Sequence, residues 1–142
     1  MRREDLQYIL QSSPIGELKK LYQEIDTKEG VKIISPPTNQ TLLVPVIDPI
    51  SQGKFYGGEL LVTTTFVQIR ENKGWSMVMD DNQPMSLYIA CIDAVFSDQE
   101  FHQKILNLAE ATKKTMQEQK DKLNQKVNST IVQFDLMQSQ GN

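Results

Sequence analysis

The sequence predicts an α+β fold: N-terminal helices, a mainly antiparallel sheet of about four strands, two C-terminal helices and a short terminal strand or arm. Two observations support this fold class. Apolar residues recur every three or four positions before residue 30 and again after residue 84, which is the period of an α-helix. Between these regions they alternate with other residues, which is the period of a β-strand.

Two helices are expected at the N-terminus. The first is short and ends at Ser12-Ser13-Pro14, a combination that breaks helices. The second follows Pro14 and runs to Gly30. Its apolar residues are spaced by three and four: Ile15, Leu18, Leu21, Tyr22 and Ile25.

The first part of the sheet is predicted as two short strands, at residues 31–34 and 42–47. Ser-Pro-Pro-Thr-Asn at residues 35–39 predicts a loop between them. Pro45 has no N–H to donate to a neighbouring strand, so the second strand should lie at an edge or contain a bulge. A further turn is expected at residues 48–53.

Residues 55–69 give the strongest strand signal, and residues 75–79 are expected to return antiparallel to them. The connection ends at Gly74, a common place for a left-handed residue. Both faces of the first strand are apolar or threonine, which predicts a central strand covered on both sides. Trp75, Met77 and Met79 are interpreted as core residues.

Helical spacing returns after Pro84, with small residues at Ala90 and Ala94 that would allow close packing on the sheet. A last helix is expected to extend through residues 113–126, although that segment has few apolar residues. Residues 131–137 alternate again and predict a terminal strand. This strand either completes the chain's own sheet or adds to a partner's sheet edge.

Composition limits the classes of function. The 142 residues fit one domain, residues 1–142, and the net charge of −3 gives no basic excess for binding nucleic acid. No apolar run is long enough to cross a membrane, and no signal peptide is recognised, so a cytoplasmic location is expected. One cysteine and one histidine leave few templates for a metal site, and none is predicted.

Few residues suggest catalysis. Asp80 and Asp81 precede a helix, where capping is favoured over a cation site. Cys91 lies on an apolar helical face and is interpreted as a buried thiol, and His102 as an exposed side chain. These residues show no self-sufficient active site, so the catalytic residues stay unassigned and a non-catalytic or co-catalytic role is expected.

Two carboxylates remain functional candidates. Asp93 lies within the apolar stretch at residues 90–95, and Glu59 follows Gly57-Gly58 at the entry to the central strand. The alternative for each is a structural or solvated carboxylate. Gly57-Gly58 alone does not make a phosphate-binding loop.

The segment FYGGELLVTTTFVQIRENKGWSMVMDDNQPMSLYIACIDAV, residues 55–95, resembles the middle of the G subunit of the carbon–phosphorus lyase core complex, the PhnG family. Gly58-Glu59 matches the family's Gly–acid pair, Thr63 its strand threonine, and Asp93-Ala94-Val95 the end of its helix. LQSSPIGEL at residues 10–18 and VQFDLM at residues 132–137 are similar to its first helix and its closing segment. The resemblance covers nearly the whole chain and makes Gly58, Glu59, Thr63 and Asp93 the candidate site residues.

Three positions depart from the family pattern. Thr64 and Asp81 stand where the family has arginine. Ile131 stands where the family has arginine or lysine. Arginine is suited to bidentate contacts with phosphate or carboxylate groups. The chain therefore resembles a divergent member that has lost three cationic positions, and any contact that these make to a ligand or a partner in relatives would be missing here.

The resemblance implies a role in the catabolism of organic phosphonates. The family's complexes transfer a phosphonate to the ribose of ATP and release adenine, and the catalytic groups are assigned to companion subunits. No cofactor is expected on this chain itself, while ATP and Mg²⁺ are expected in the assembly. The alternative is a free-standing homodimeric binding module outside the phosphonate pathway.

Overall fold

The computed structural model describes residues 1–47, 50 and 54–140. It confirms the α+β class, with helices on either side of the sheet in chain order. The turn predicted at residues 48–53 lies almost entirely outside the described residues. The elements are α1 Arg3–Leu10, α2 Ile15–Glu29, β1 Lys32–Ile47, β2 Lys54–Ile69, β3 Asn72–Met79, α3 Gln83–Val95 and α4 Gln99–Gln140.

Within the described residues, the sheet has three antiparallel strands in the order β1-β2-β3. About four strands were predicted, because the two prolines at residues 36 and 37 were taken to end the first one. Instead β1 continues through them, with register shifts between Ile33 and Ser35 and between Ser35 and Thr38. Bulges therefore accommodate residues that cannot donate to the ladder. At Pro45 the prediction of an edge strand or a bulge is confirmed, since β1 is an edge strand and shifts register there.

The hairpin of β2 and β3 forms as predicted, but the turn differs in detail. Arg70 adopts the left-handed conformation, with φ of 55°, and Gly74 does not. β3 pairs only with Val62–Ile69 of β2. The remainder of β2 pairs with β1 alone, and we call this two-stranded part, residues 41–47 and 54–61, the ribbon.

Helix α3 covers one face of the sheet. Gly74 is the point of closest approach, because a Cβ placed there would lie 2.7 Å from Ala94 Cβ and would collide with the Ala90 carbonyl oxygen. The expected close packing at Ala90 and Ala94 is therefore confirmed. Only a glycine opposite two alanines lets the helix backbone approach the strand this closely.

The opposite face, which we call the open face, carries Phe66, Trp75, Met77 and Met79. The prediction that β2 is covered on both sides is confirmed at Val62 and Thr64, which are buried on this face, and is wrong at Phe66, which is 44% exposed. On β3, Trp75 and Met79 are 37% and 47% exposed. The core interpretation of Trp75 and Met79 is wrong for the same reason. The core instead lies between α3, the covered face and helices α1, α2 and α4.

Helix α4 has 42 residues and is about 63 Å long at 1.5 Å per residue. Its first turns are held in the core by Phe101, Ile105 and Ala109. Nearly all side chains from residue 113 to residue 131 are exposed. The terminal strand predicted at residues 131–137 is wrong, since the helix continues to Gln140. Leu123, Val127 and Ile131 also fit a helical spacing of four, and no glycine or proline intervenes to end the helix.

We expect Gly74→Ala to lower the free energy of unfolding by about 1–3 kcal/mol or more, because the added methyl group overpacks the contact with α3. The midpoint of urea unfolding measures this change. Gly58→Ala is the matched control: it is also a strand glycine, and a Cβ there meets nothing within 4 Å. Equal stability of the two variants would show that the helix does not approach the sheet as described.

Candidate functional site

Thr63, a candidate site residue, is fully buried on the covered face. Its hydroxyl donates to the carbonyl oxygen of Asp80 at 2.7 Å and accepts from the backbone N–H of Asn82 at 3.1 Å. Asn39 Oδ1 also lies 3.1 Å from Thr63 Oγ1. Thr63 thus fastens the end of β3 and the start of α3 to the central strand.

Three further hydroxyl groups lie beside Thr63, beneath the first turn of α3. Ser86 Oγ lies 2.7 Å from Thr65 Oγ1 and 2.9 Å from Ser76 Oγ, and Ser76 Oγ also donates to the Ser86 carbonyl oxygen at 2.6 Å. All of these side chains are buried. Each hydroxyl has a partner within the cluster, so the group locks α3 onto the sheet and leaves no buried hydroxyl unpaired.

Asp93, the second candidate within the body of the protein, is buried near the end of α3. Its carboxylate accepts from Arg3 Nε at 2.8 Å and Arg3 Nη2 at 2.6 Å, and from the Trp75 N–H at 3.0 Å. The bidentate contact raises the pKa of the Arg3 guanidinium, and the largest cause is its hydrogen bond to the Asp93 carboxylate. Asp93 therefore joins α1, α3 and β3.

The outward backbone groups of β3 are bonded by other side chains as well. Gln7 Nε2 donates to the Trp75 carbonyl oxygen at 2.5 Å. Gln11 donates to the Met77 carbonyl oxygen at 3.2 Å and accepts from the Met79 N–H at 3.1 Å. With Arg3 and Asp93, these residues seal the edge of the sheet at β3.

Gly58 and Glu59 occupy a different environment, since both are exposed on the ribbon. They pair with Val44 and Leu43 of β1. Thr63 lies four residues further along β2, at about 13 Å for 3.3 Å per residue. Asp93 contacts the middle of β3 at Trp75, whereas Thr63 contacts Asp80, just beyond the end of that strand. The structure therefore does not bring the four candidates into one site.

The ribbon also carries exposed apolar side chains. Leu43, Val44 and Leu61 are 53%, 40% and 42% exposed. A two-stranded ribbon with apolar side chains in water is marginally stable by itself. This composition suits burial against another protein.

The other residues considered as possible functional groups contact the protein's own backbone or core. The side chain that caps α3 is Asn82, which accepts from the Met85 N–H at 3.3 Å. The capping role expected for Asp80 and Asp81 was therefore assigned two residues and one residue too early. Cys91 is fully buried, as predicted, and burial raises the pKa of its thiol to about 12. His102 was expected to be exposed, but it is half-buried, with Nδ1 2.6 Å from the Phe96 carbonyl oxygen.

The three positions that depart from the family pattern lie apart. Thr64 is buried at the centre of the open face, and Asp81 is exposed just beyond β3. Ile131 is 53% exposed on α4. A cationic side chain at residue 64 would lie on the open face, opposite Met77 of β3.

Sequence reasoning missed the open face, although a signal was present. Gly74 and Ser76 are small and alternate with Trp75 and Met77. Because Ala90 and Ala94 require a partner surface of small residues, Gly74 and Ser76 mark the face beneath α3. The large side chains of β3 therefore had to lie on the other face.

Open cavities lie on the described surface of the protein. One of about 780 Å³ lies between α2 and α4, and one of about 900 Å³ between α1 and α4. A third, of about 520 Å³, adjoins the open face at Trp75 and Met77 and includes Arg3 and Asp93. Within the described residues, no three His, Cys, Asp or Glu side chains are grouped to hold a metal ion. None of the helices described is both long and apolar enough to span a bilayer.

Together these features define an α+β protein with a one-sided three-stranded sheet and large exposed apolar surfaces, typical of proteins that contact other proteins. A family model described as phosphonate metabolism protein PhnG matches residues 1–139. The chain therefore belongs to the PhnG family, and the resemblance seen in the sequence is confirmed. A search of curated proteins finds no match.

We expect Asp93→Ala to destabilise the protein by about 2–3 kcal/mol, since it leaves the Trp75 N–H without its acceptor and Arg3 without its bidentate partner. Chemical denaturation measures the change. Glu71→Ala, at an exposed turn, should stay within about 0.5 kcal/mol of wild type. An Asp93→Ala variant as stable as Glu71→Ala would remove the structural role assigned to this carboxylate.

Cys91 should resist thiol reagents in the folded protein. At pH 8 a thiol of pKa about 12 is roughly 0.01% ionised, and burial also denies access to it. We expect labelling by a disulfide reagent to be at least about 1,000-fold slower in the native protein than in denaturant, where the thiol has its ordinary pKa. Comparable rates in the two states would contradict the burial of Cys91.

Proposed function

We propose that this chain is a subunit of the carbon–phosphorus lyase system in the catabolism of organic phosphonates. In that role it supports the transfer of a phosphonate to the ribose of ATP with release of adenine, and companion subunits supply the catalytic groups. The observation that carries the proposal is the family match over residues 1–139. ATP and Mg²⁺ belong to the assembly in this proposal, and the work takes place in the cytoplasm.

The surroundings of the candidate residues support a companion role. Thr63 and Asp93 are buried and hydrogen-bonded to the chain's own backbone. The thiol of Cys91 is held un-ionised by burial. The polar groups most suggestive of chemistry thus serve to hold the fold together, which agrees with a subunit that acts by contact.

The ribbon is the proposed contact with companion subunits. It carries the family-matched pair Gly58 and Glu59 together with the exposed side chains of Leu43, Val44 and Leu61. Burying the three apolar side chains against a partner would stabilise the ribbon. An exposed carboxylate beside them suits a cationic group on that partner and would set the orientation of the contact.

A bacterial strain that lacks its own G subunit and keeps the companion subunits tests the proposal. We expect this chain to restore growth on methylphosphonate as the sole phosphorus source and to co-purify with the companions. Growth on inorganic phosphate controls for general fitness. No growth together with no co-purification, from a chain that is folded and expressed, would overturn the proposal.

Charge reversal at the ribbon sharpens this test. Glu59→Lys should lower co-purification and growth on methylphosphonate while leaving the urea midpoint unchanged, because the side chain is exposed. Glu71→Lys makes the same charge change at an exposed turn outside the ribbon and should behave as wild type. Equal behaviour of the two variants would exclude the ribbon as the contact.

A further inference from the structure

The two outer edges of the sheet differ. Gln7, Gln11 and Asp93 bond the outward backbone groups of β3. On β1, residues 38–44 pair with β2 without a register shift, and no side chain of the described residues bonds the outward backbone groups of this segment. We call residues 38–44 the free edge. Unpaired N–H and C=O groups along an edge strand are a template for another strand.

The alternation of the ladder identifies the outward groups. The Asp80 N–H donates to the Leu61 carbonyl oxygen at 2.8 Å, so the backbone groups of Leu61 point toward β3. Those of Leu60, the neighbouring residue, therefore point toward β1 and bond its partner Leu42. By the same alternation, three residues of the free edge turn both backbone groups away from β2: Asn39, Thr41 and Leu43.

The free edge carries no charge. No charged residue occurs at residues 33–47, whereas native edge strands are commonly protected from pairing by charged side chains, lysine above all. The exposed side chains of the free edge are neutral, and its threonines and valine favour β-structure. A second copy of the same segment can therefore approach without repulsion between like charges.

The free edge is self-complementary about Thr41. Antiparallel pairing with a second copy sets Thr41 opposite Thr41 and Asn39 opposite Leu43, and these outward residues then exchange about six backbone hydrogen bonds. Pro37 and Pro45 lie four residues to either side of Thr41 and have no N–H. They end the pairing at the same distance on both copies, which fixes its register.

The nearest charge on β2 does not oppose this pairing. Among the β2 residues that pair with the free edge, the charged one is Glu59, opposite Leu43. With three strand spacings and four residues between them, the Glu59 positions of the two copies lie about 20 Å apart. That separation exceeds the Debye length of about 8 Å at physiological ionic strength, so their repulsion is screened.

We propose that two copies of this chain associate by antiparallel pairing of their free edges about a two-fold axis at Thr41. The three strands of each copy then join into one sheet of six, with both open faces on the same side. The pairing uses backbone groups, and the side chains of the ribbon still point above and below the sheet. Companion subunits can therefore contact the ribbon in the dimer.

Light scattering during size exclusion tests the stoichiometry of the full chain. We expect twice the chain mass of 16.2 kDa at high concentration and the monomer mass on dilution. A monomer at concentrations of about 100 μM, a level at which weak dimers still form, would overturn the proposal.

A proline at the two-fold axis removes the central donor of each copy. Thr41→Pro should weaken the dimer at least about 10-fold, because two backbone hydrogen bonds are lost. The N–H of residue 41 points away from β2, so the urea midpoint of the dilute monomer should change little. Thr41→Val keeps the N–H and should change the dissociation constant by less than about threefold. Equal dimerisation of the two variants would show that the free edge is not the contact.

A second pair of variants does not depend on the tolerance of β1 for another proline. Thr41→Lys sets two like charges directly opposite each other and should weaken the dimer about fivefold at low salt, with a smaller effect at high salt. Thr38→Lys makes the same change at another exposed threonine of the free edge. Its two copies would lie about 20 Å apart, so it should dimerise as wild type. Equal weakening by the two variants would contradict the register about Thr41.

Hydrogen exchange at single-residue resolution locates the contact. On dimer formation, exchange of the Asn39, Thr41 and Leu43 amides should slow at least about 10-fold, whereas that of Glu59, on the other edge of the ribbon, should not change. Protection of Glu59 in place of these three would put the contact at β2 and overturn the proposal. These measurements use the chain without companion subunits, so a negative result does not overturn the proposed function, which growth on methylphosphonate tests separately.

Discussion

The close packing of α3 against β3 is the contact on which the rest of the structure depends. Gly74 faces Ala90 and Ala94, and the short distance lets Ser86 reach Thr65 and Ser76 across the interface. The same approach brings Asp93 to the Trp75 N–H and so positions Arg3 of α1. Small side chains and buried hydroxyls thus fix the helix on one face. The bulky side chains of β3 consequently face outward, which creates the open face.

The sequence predicts much of the fold because several elements have unambiguous periods. The β2–β3 hairpin has strict alternation and a polar turn, and α3 has small residues on its inner face. The prediction was wrong where two periods fit the same residues. In residues 131–137 the alternation suggested a strand, but the helix that precedes it has nothing to stop it, and extending a helix costs less than starting a strand. The prolines of β1 led to a wrong prediction for another reason. They were expected to end the first strand, but β-bulges accommodate them within it.

The candidate residues were harder to predict than the fold, because their roles depend on partners distant in sequence. Asp93 looked functional as a carboxylate in an apolar stretch, and its partner Arg3 is 90 residues away. Nothing near Thr63 in sequence shows that its hydroxyl would bond the backbone of Asp80 and Asn82. The open face was predictable from the small residues opposite Ala90 and Ala94, but only by comparing two elements at once.

The sealed edge at β3 has a consequence for how molecules of this protein can aggregate. Filaments that grow by strand pairing need two available sheet edges on each molecule, one to join the molecule before and one to join the next. Here Gln7, Gln11 and Asp93 occupy the outward groups of β3. Any strand that joins the sheet must therefore do so along β1 or along the part of β2 that lies in the ribbon. Gln7, Gln11 and Asp93 thereby exclude β3 from strand pairing between molecules and confine such pairing to β1 and the ribbon.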